Sequence, residues 1–252
     1  MTYCIGLLLN DGLVMMADTR TNAGVDNFSS FKKLHTLADS PGRQIFACTS
    51  GSLSMSQAVI SLIKEGLPSS EASDLTRKLD NCTSMFRTAQ LVGEAVQIVG
   101  RTVGAALSNI NISSSVSLLL GGRIGKGPPT LYLVYSAGNF IECKSEAPFL
   151  QIGETKYGKP ILDRGIDIST PLDEAVKVAF LSYDSAMRSN LGVARPLDMM
   201  VMPRDPKAPL LQRRIESDDE YFNDLSLRWA ELLHEATATI PNPPFMAQPG
   251  LK

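Results

Sequence analysis

The second residue is the first place where chemistry could sit. Thr2 follows the initiating Met1. A small residue there favours removal of the methionine, which would leave Thr2 with a free α-amine. Such a residue carries nucleophile and base together: the hydroxyl attacks and the amine relays the proton. A free α-amine has a pKa of about 7.7–8.0, so it is partly neutral near physiological pH. A neighbouring ammonium would lower that value and acidify the hydroxyl, and a carboxylate would then hold the ammonium in place. A Met-Thr start is common, so Thr2 alone says little.

Other chemistries find less support. The two histidines, His35 and His234, belong to no HxxxH or HExxH pattern, so a histidine-built metal site is not expected. The cysteines Cys4, Cys48, Cys82 and Cys143 form no CxxC pair, which argues against zinc knuckles and for reduced thiols in a cytoplasmic protein. There is no GxSxG elbow. The stretch Gly121 to Gly127 holds Lys126 but lacks Walker spacing and reads as a hairpin turn. No cofactor or metal is implied. With 24 basic against 26 acidic residues, the net charge of −2 gives no electrostatic footprint for nucleic acid. An apolar content of 44% is enough for a core and too much for general disorder. A secretory signal is not expected, and the apolar runs fall far short of the roughly 20 residues that span a membrane.

The elements that must position Thr2 follow from periodicity. Tyr3 to Leu9 and Leu13 to Ala17 flank Asn10-Asp11-Gly12, a hairpin signal. A polar stretch, Asp18 to Ser30, has Gly24 and Asn27 for turns. Phe31 to Leu37 and Gln44 to Thr49 extend these strands into an antiparallel meander. The period then changes to 3.6. Leu53 to Glu65 reads as a helix ending at Gly66, and Ser84 to Ser108 as a longer one with Val92, Val96, Val99 and Val103 on one face. Both helices are expected to pack on the first sheet. Strands return at Val116 to Leu120, Thr130 to Tyr135 and Phe140 to Cys143. A third helix is predicted from Thr170-Pro171 to about Arg188, with Thr170 as N-cap and Asp173 in the capping box. Leu197 to Met202 reads as the final strand. A C-terminal helix carries Phe222, Leu225, Trp229 and Leu232 on one face, before a proline-rich tail outside the core. Clustered strands and clustered helices define an α+β chain, with helices layered on antiparallel sheets.

Context raises the weight of Thr2. Met16-Ala-Asp18-Thr-Arg20-Thr-Asn-Ala-Gly24 and Phe31-Lys32-Lys33-Leu34 resemble the A-D-x-R-x-x-x-G segment and the K-K pair of catalytic proteasome β-subunits, with a loop one residue shorter before Lys33. The resemblance spans roughly residues 2 to 204. Asp18-Thr-Arg-Thr-Asn-Ala-Gly-Val-Asp26, Phe149 to Arg164 and Met187-Arg-Ser-Asn190 resemble, more narrowly, the bacterial "ancestral beta subunit" family, Anbu, as does the extension after Arg204.

The resemblance implies a four-layer αββα sandwich of the N-terminal-nucleophile (Ntn) type over residues 1–204, with a C-terminal extension over 205–252. It makes Thr2 the nucleophile, Lys33 the ammonium beside it and Asp18 the partner of Lys33. Thr49-Ser50-Gly51 aligns with the oxyanion turn; Ser50 can stand where the family has Gly because the donor is backbone. Two segments depart from the pattern. Glu154 replaces the serine of a Gly-Ser loop, and Asp184-Ser-Ala-Met-Arg-Ser189-Asn-Leu-Gly replaces D-x-x-S-G-G. The group orienting the α-amine is Ser189 in the first reading and Asp184 in the second, with Asp184 otherwise a polar residue late in a helix. Lys32 is a solvated charge, Arg20 braces its loop and His35 is structural. Cys48 either lines the specificity pocket or is a buried strand thiol. Lys33 is taken to stand at an exposed strand end.

The function implied is a threonine-type hydrolase acting on peptides or proteins, as a homo-oligomer of many subunits. Two alternatives remain: a non-proteolytic assembly subunit of the same fold, and an Ntn amidase for small molecules. Whether an unfoldase feeds the particle is not written in the sequence.

Overall fold

A computed structural model of the chain describes residues 2–22, 28–69, 77–108 and 113–247. Met1, and Gly24 and Asn27 of the expected turns, lie outside the described residues. Strands β1 (Tyr3–Leu9) and β2 (Gly12–Asp18) form the first hairpin, with Leu9 opposite Gly12. The polar stretch after β2 holds a small ribbon, β3 (Arg20–Asn22) and β4 (Phe28–Ser30). Next come β5 (Leu34–Ser40), β6 (Arg43–Gly51) and helix α1 (Leu53–Glu65). Helix α2 (Met85–Val99) starts where the Ser84 hydroxyl accepts the Arg87 N–H at 3.2 Å. It runs through a π-helical turn, Gly100–Gly104, into α3 (Ala105–Ser108).

The second half contains β7 (Val116–Ile124), β8 (Thr130–Val134), β9 (Phe140–Glu142) and β10 (Phe149–Gly153). Helices α4 (Lys159–Gly165) and α5 (Leu172–Ser189) precede β11 (Leu197–Pro203) and β12 (Leu211–Ile215).

The strands make two five-stranded sheets, in the orders β10-β1-β2-β11-β12 and β5-β6-β7-β8-β9. The four opening strands are therefore not one meander. β1 and β2 lie in one sheet, β5 and β6 in the other. Helices α1 and α2 pack on the second sheet, not the first: Met55, Val59, Ile63 and Val92 bury against Ile45, Ala47, Leu118 and Leu120. The alternate residues Phe46, Cys48 and Leu119 point the other way, into an inner core with Cys4, Leu13, Met15 and Met200. Each buried Val, Leu, Ile, Phe or Met side chain among them contributes about 1.5–3 kcal/mol relative to exposure. On the outer face of the first sheet, Tyr183 of α5 lies against Tyr3 of β1, with ring centroids 4.6 Å apart. Helices outside two facing sheets give the αββα sandwich.

Three further expectations change. Helix α5 has Pro171, not Thr170, at its N-cap, with no side-chain cap; the Thr170 hydroxyl instead accepts the Asp167 N–H at 2.9 Å. Strand β11 is not the last. β12 pairs with it, Leu197 opposite Ile215, and the compact unit runs to Ser217. The predicted strand at Phe31 starts only at Leu34.

The second unit, Asp218–Lys252, holds helix α6 (Glu220–Thr239). The Asp219 carboxylate caps it, accepting the Phe222 N–H at 2.9 Å. Along the predicted stripe Phe222 is buried, Leu225 and Trp229 are half-buried, and Leu232 is exposed. Among the described residues no helix is long and apolar enough to cross a membrane.

Candidate active site

Thr2 stands just before β1, and the hairpin register sets what surrounds it. Tyr3 pairs with Gly153 of β10 on one side, and Cys4 with Ala17 of β2 on the other. That register brings the end of β2 beside the start of β1, where the Tyr3 N–H donates to Asp18 Oδ1 at 2.9 Å. Lys33 comes from the other sheet, one residue before β5. Its Nζ donates to the same Asp18 Oδ1 at 2.9 Å and to the Arg20 carbonyl at 2.5 Å. The Lys33 carbonyl accepts the Thr49 N–H at 3.0 Å, which ties it to β6.

This ion pair is buried. Asp18 is 0% exposed and Lys33 is 5% exposed, so Lys33 is not the exposed strand-end charge expected from sequence. Burial pushes the Asp18 carboxyl above its ordinary value, while the Lys33 charge, its hydrogen bond and the Tyr3 N–H pull it down. Removing one member of such a pair leaves a charge without compensation.

Thr2, Lys33, Ser50, Gly51 and Gly153 line one cavity of about 230 Å³, with Thr21, Thr49 and Ser56 also contributing. Two glycines make this approach possible. Gly153 has φ +84°, and a Cβ there would lie 2.1 Å from the Thr2 carbonyl oxygen. Gly51 has φ +108°, and a Cβ would lie 2.2 Å from the Ser115 carbonyl oxygen. Any side chain at 153 would push Thr2 off its seat.

Thr2, Lys33 and Ser50 are thus brought together, with Asp18 behind Lys33. The two residues expected near the amine are not on this cavity. Ser189 is exposed at the last position of α5. Asp184 is buried within α5, and its Oδ2 accepts from Arg188 Nε at 2.9 Å. Cys48 is fully buried in the inner core rather than in the cavity wall. His35 Nε2 lies 3.5 Å from Thr49 Oγ1. Burial, helped by Lys64 and Lys32, lowers its pKa to about 4, so it is neutral at pH 7.

Tyr183 and Ser182 grip the Thr2 strand with no signal in the sequence, and Glu154 grips it too. The Tyr183 hydroxyl lies 2.7 Å from the Tyr3 carbonyl oxygen and 2.9 Å from that of Met16, in position to donate to both. The Tyr3 hydroxyl bonds Ser182 Oγ at 2.6 Å, and Ser182 Oγ donates to the Gly158 carbonyl at 2.8 Å. The Glu154 N–H donates to the Thr2 carbonyl at 2.6 Å. Glu154 Oε1 accepts the Lys156 N–H at 2.6 Å and the Tyr157 N–H at 3.3 Å, and Oε2 accepts Asn190 Nδ2 at 2.7 Å. Burial alone would raise this carboxyl, but the donors outweigh it and hold it below its ordinary value. Its only sequence signal was that Glu154 breaks the resembling pattern. Among the described residues no group of three His, Cys, Asp or Glu side chains could hold a metal ion.

Two helix-covered sheets with a threonine at the head of the first strand define an Ntn-type α+β sandwich. The proteasome subunit family matches residues 2–201. Three solved structures are similar over nearly their whole length. Anbu from Hyphomicrobium sp. strain MC1 is 41% identical with a TM-score of 0.85, covering 96% of this chain and 99% of that one. Anbu (ancestral beta-subunit) from Yersinia bercovieri is 38% identical with a TM-score of 0.84, covering 96% and 98%. The helical assembly of the Anbu complex from Pseudomonas aeruginosa is 40% identical with a TM-score of 0.87, covering 98% and 100%. A comparison with curated proteins finds no match. The chain belongs to the proteasome subunit family, among its Anbu proteins.

Proposed function

We propose that this chain is a threonine-type amide hydrolase whose nucleophile is Thr2 after removal of Met1. The observation that carries this reading is the convergence of Thr2, Lys33 and the Ser50-Gly51 end of β6 on one cavity, with Asp18 fixing Lys33 from behind. Lys33 has three ammonium donors. Two go to Asp18 and the Arg20 carbonyl, which leaves one for the cavity it lines.

The reaction proceeds in two halves. The Thr2 hydroxyl oxygen attacks the amide carbon, and its proton passes to the Thr2 α-amine, whose proton affinity Lys33 lowers. The carbonyl oxygen becomes an oxyanion held by a backbone N–H at the Ser50-Gly51 end of β6. The C–N bond then breaks, the α-ammonium returns its proton to the leaving amine, and an ester on Thr2 remains. Water attacks that ester, the α-amine takes its proton, and the C–O bond breaks to release the acid and restore the Thr2 hydroxyl. With Met1 attached, the Thr2 nitrogen is an amide and cannot serve as base.

Peptides or proteins are the substrate class this reading favours, in a cytoplasmic homo-oligomer. Support for assembly comes from the Anbu complex of Pseudomonas aeruginosa, which forms a helical assembly. A shielded surface would keep an N-terminal nucleophile from cutting indiscriminately. Light scattering is expected to show a species larger than a dimer; a stable monomer at micromolar concentration would contradict it. The chemistry is tested by intact mass after treatment with a threonine-directed electrophile. One adduct, on Thr2 of protein lacking Met1, is the expected result. Hydrolysis by Met1-retaining protein at a rate unchanged by Thr2→Ala would overturn it.

A further inference from the structure

The two segments in which the chain departs from the resembling pattern meet in space. One is the loop after β10 with Glu154; the other is the end of α5. Asn190, the C-cap of α5, donates from Nδ2 to Glu154 Oε2 at 2.7 Å, while its Oδ1 accepts the Gly192 N–H at 3.0 Å. The amide orientation is therefore fixed: turning it over would break both bonds. Glu154 is equally constrained, with Oε1 on the Lys156 and Tyr157 N–H groups and its own backbone N–H on the Thr2 carbonyl at 2.6 Å. It is 4% exposed, so each unmatched polar group would be left without water. A departure at one segment alone would leave such a group. Together the two departures satisfy each other.

We propose that Glu154 and Asn190 form a lock that fixes Thr2 against the end of α5, which makes both of them positioning residues for the Thr2 nucleophile. This rests on the reading of Thr2 given above. The chain of contact runs from the α5 terminus through Asn190 Nδ2 to the Glu154 carboxylate, and from the Glu154 N–H to the Thr2 carbonyl. Neither side chain lines the cavity, so neither is called catalytic. Their effect is on where the Thr2 amine and hydroxyl stand. Misplacement on the scale of 1 Å can cost about a hundredfold in rate.

The polarity of the lock supplies its test. In Glu154→Gln the new amide sets an N–H₂ group against Asn190 Nδ2. In Asn190→Asp two carboxylates face each other across the same gap. In the double variant Glu154→Gln/Asn190→Asp, donor and acceptor exchange places. The amide oxygen introduced at position 154 still accepts the Lys156 and Tyr157 N–H groups, and its nitrogen donates to the carboxylate introduced at position 190. That carboxylate still accepts the Gly192 N–H.

Two readouts on the full chain separate this proposal from the one it rests on. The first is the rate of Thr2 labelling by a threonine-directed epoxyketone or β-lactone. Each single variant should label about tenfold slower or worse, and the double variant should return to within about threefold of wild type. The second is hydrogen exchange at the backbone amide of position 154, which involves no catalysis. Exchange should rise in each single variant and fall back in the double. Singles that label and exchange like wild type would overturn the lock. A double variant that stays folded but regains neither would overturn it too. If wild-type protein takes no label, the nucleophile assignment falls, and exchange alone then decides the lock by the same pattern.

Discussion

The two outer helical layers hold their sheets by different physics. Helices α1 and α2 meet the second sheet through apolar side chains such as Met55, Ile63, Val92 and Leu118. Helix α5 meets the first sheet with directed hydrogen bonds as well. Tyr183 reaches the Tyr3 and Met16 carbonyls, Ser182 reaches the Tyr3 hydroxyl, and Asn190 reaches Glu154. Apolar burial is non-directional and stabilises many small displacements nearly equally. Hydrogen bonds fix an atom to a few tenths of an ångström. The layer that touches Tyr3, and reaches Thr2 through Glu154, is the one that needs position, and the other layer supplies stability.

Four measurements sharpen or break that contrast. The largest effect is expected at the junction itself. Lys33→Ala should abolish electrophile labelling and also cost about 3–5 kcal/mol, because Asp18 is left buried without its partner. Denaturant melts and labelling of the folded fraction read the two effects separately, and labelling at the wild-type rate would remove Lys33 from the mechanism. In the apolar layer, Ile63→Ala should cost about 2–5 kcal/mol from a cavity in the core. Its folded fraction should nevertheless label as fast as wild type, and a parallel loss of labelling would erase the contrast.

Tyr183→Phe should show the opposite balance. Loss of the hydroxyl removes the one O–H that the buried Tyr3 and Met16 carbonyls share, at a cost of about 1–3 kcal/mol. Labelling should slow by more than that modest loss of stability explains. Unchanged labelling would reduce Tyr183 to packing.

The smallest effect is in pH dependence. The Glu154 carboxyl is held below its ordinary value. A lowered carboxyl contributes stability that is present above the unfolded pKa, about 4.3 for Glu. It is lost as pH falls through the folded value. Below that window wild type and Glu154→Gln should therefore converge in melting temperature, having differed at pH 7. Curves that stay parallel from pH 7 to pH 3 would show that the Glu154 charge adds nothing. Asp18, raised mainly by burial, pulls the wild-type curve the other way, so the comparison is made between variants and not on wild type alone.

Thr2, Asp18 and Lys33 were legible because each sits in a short segment whose pattern is local. Lys33 read as a charge at an exposed strand end, and only the packing of the two sheets reveals its burial. The division of the opening strands was hidden for a related reason. β1, β2, β6 and β7 are buried on both faces, so their apolar runs carry no alternation to show which layer each side faces. β12 was missed because four of its five residues are exposed on an edge, and a charged edge strand reads as loop. Ser189 and Asp184 were chosen by matching their segment to the D-x-x-S-G-G pattern. The side chain that reaches the Thr2 loop is Asn190, one residue further on, and its partner Glu154 is 36 residues away.

The central claim is that Thr2, freed of Met1, is the nucleophile. Its most direct test is intact-mass spectrometry of wild type and Thr2→Ala after the same threonine-directed electrophile. Wild type should have the mass of a chain beginning at Thr2 and gain one adduct. Thr2→Ala should also lose Met1, since alanine is small, and gain none. An adduct of equal extent on Thr2→Ala, or none on wild type that begins at Thr2, would contradict it.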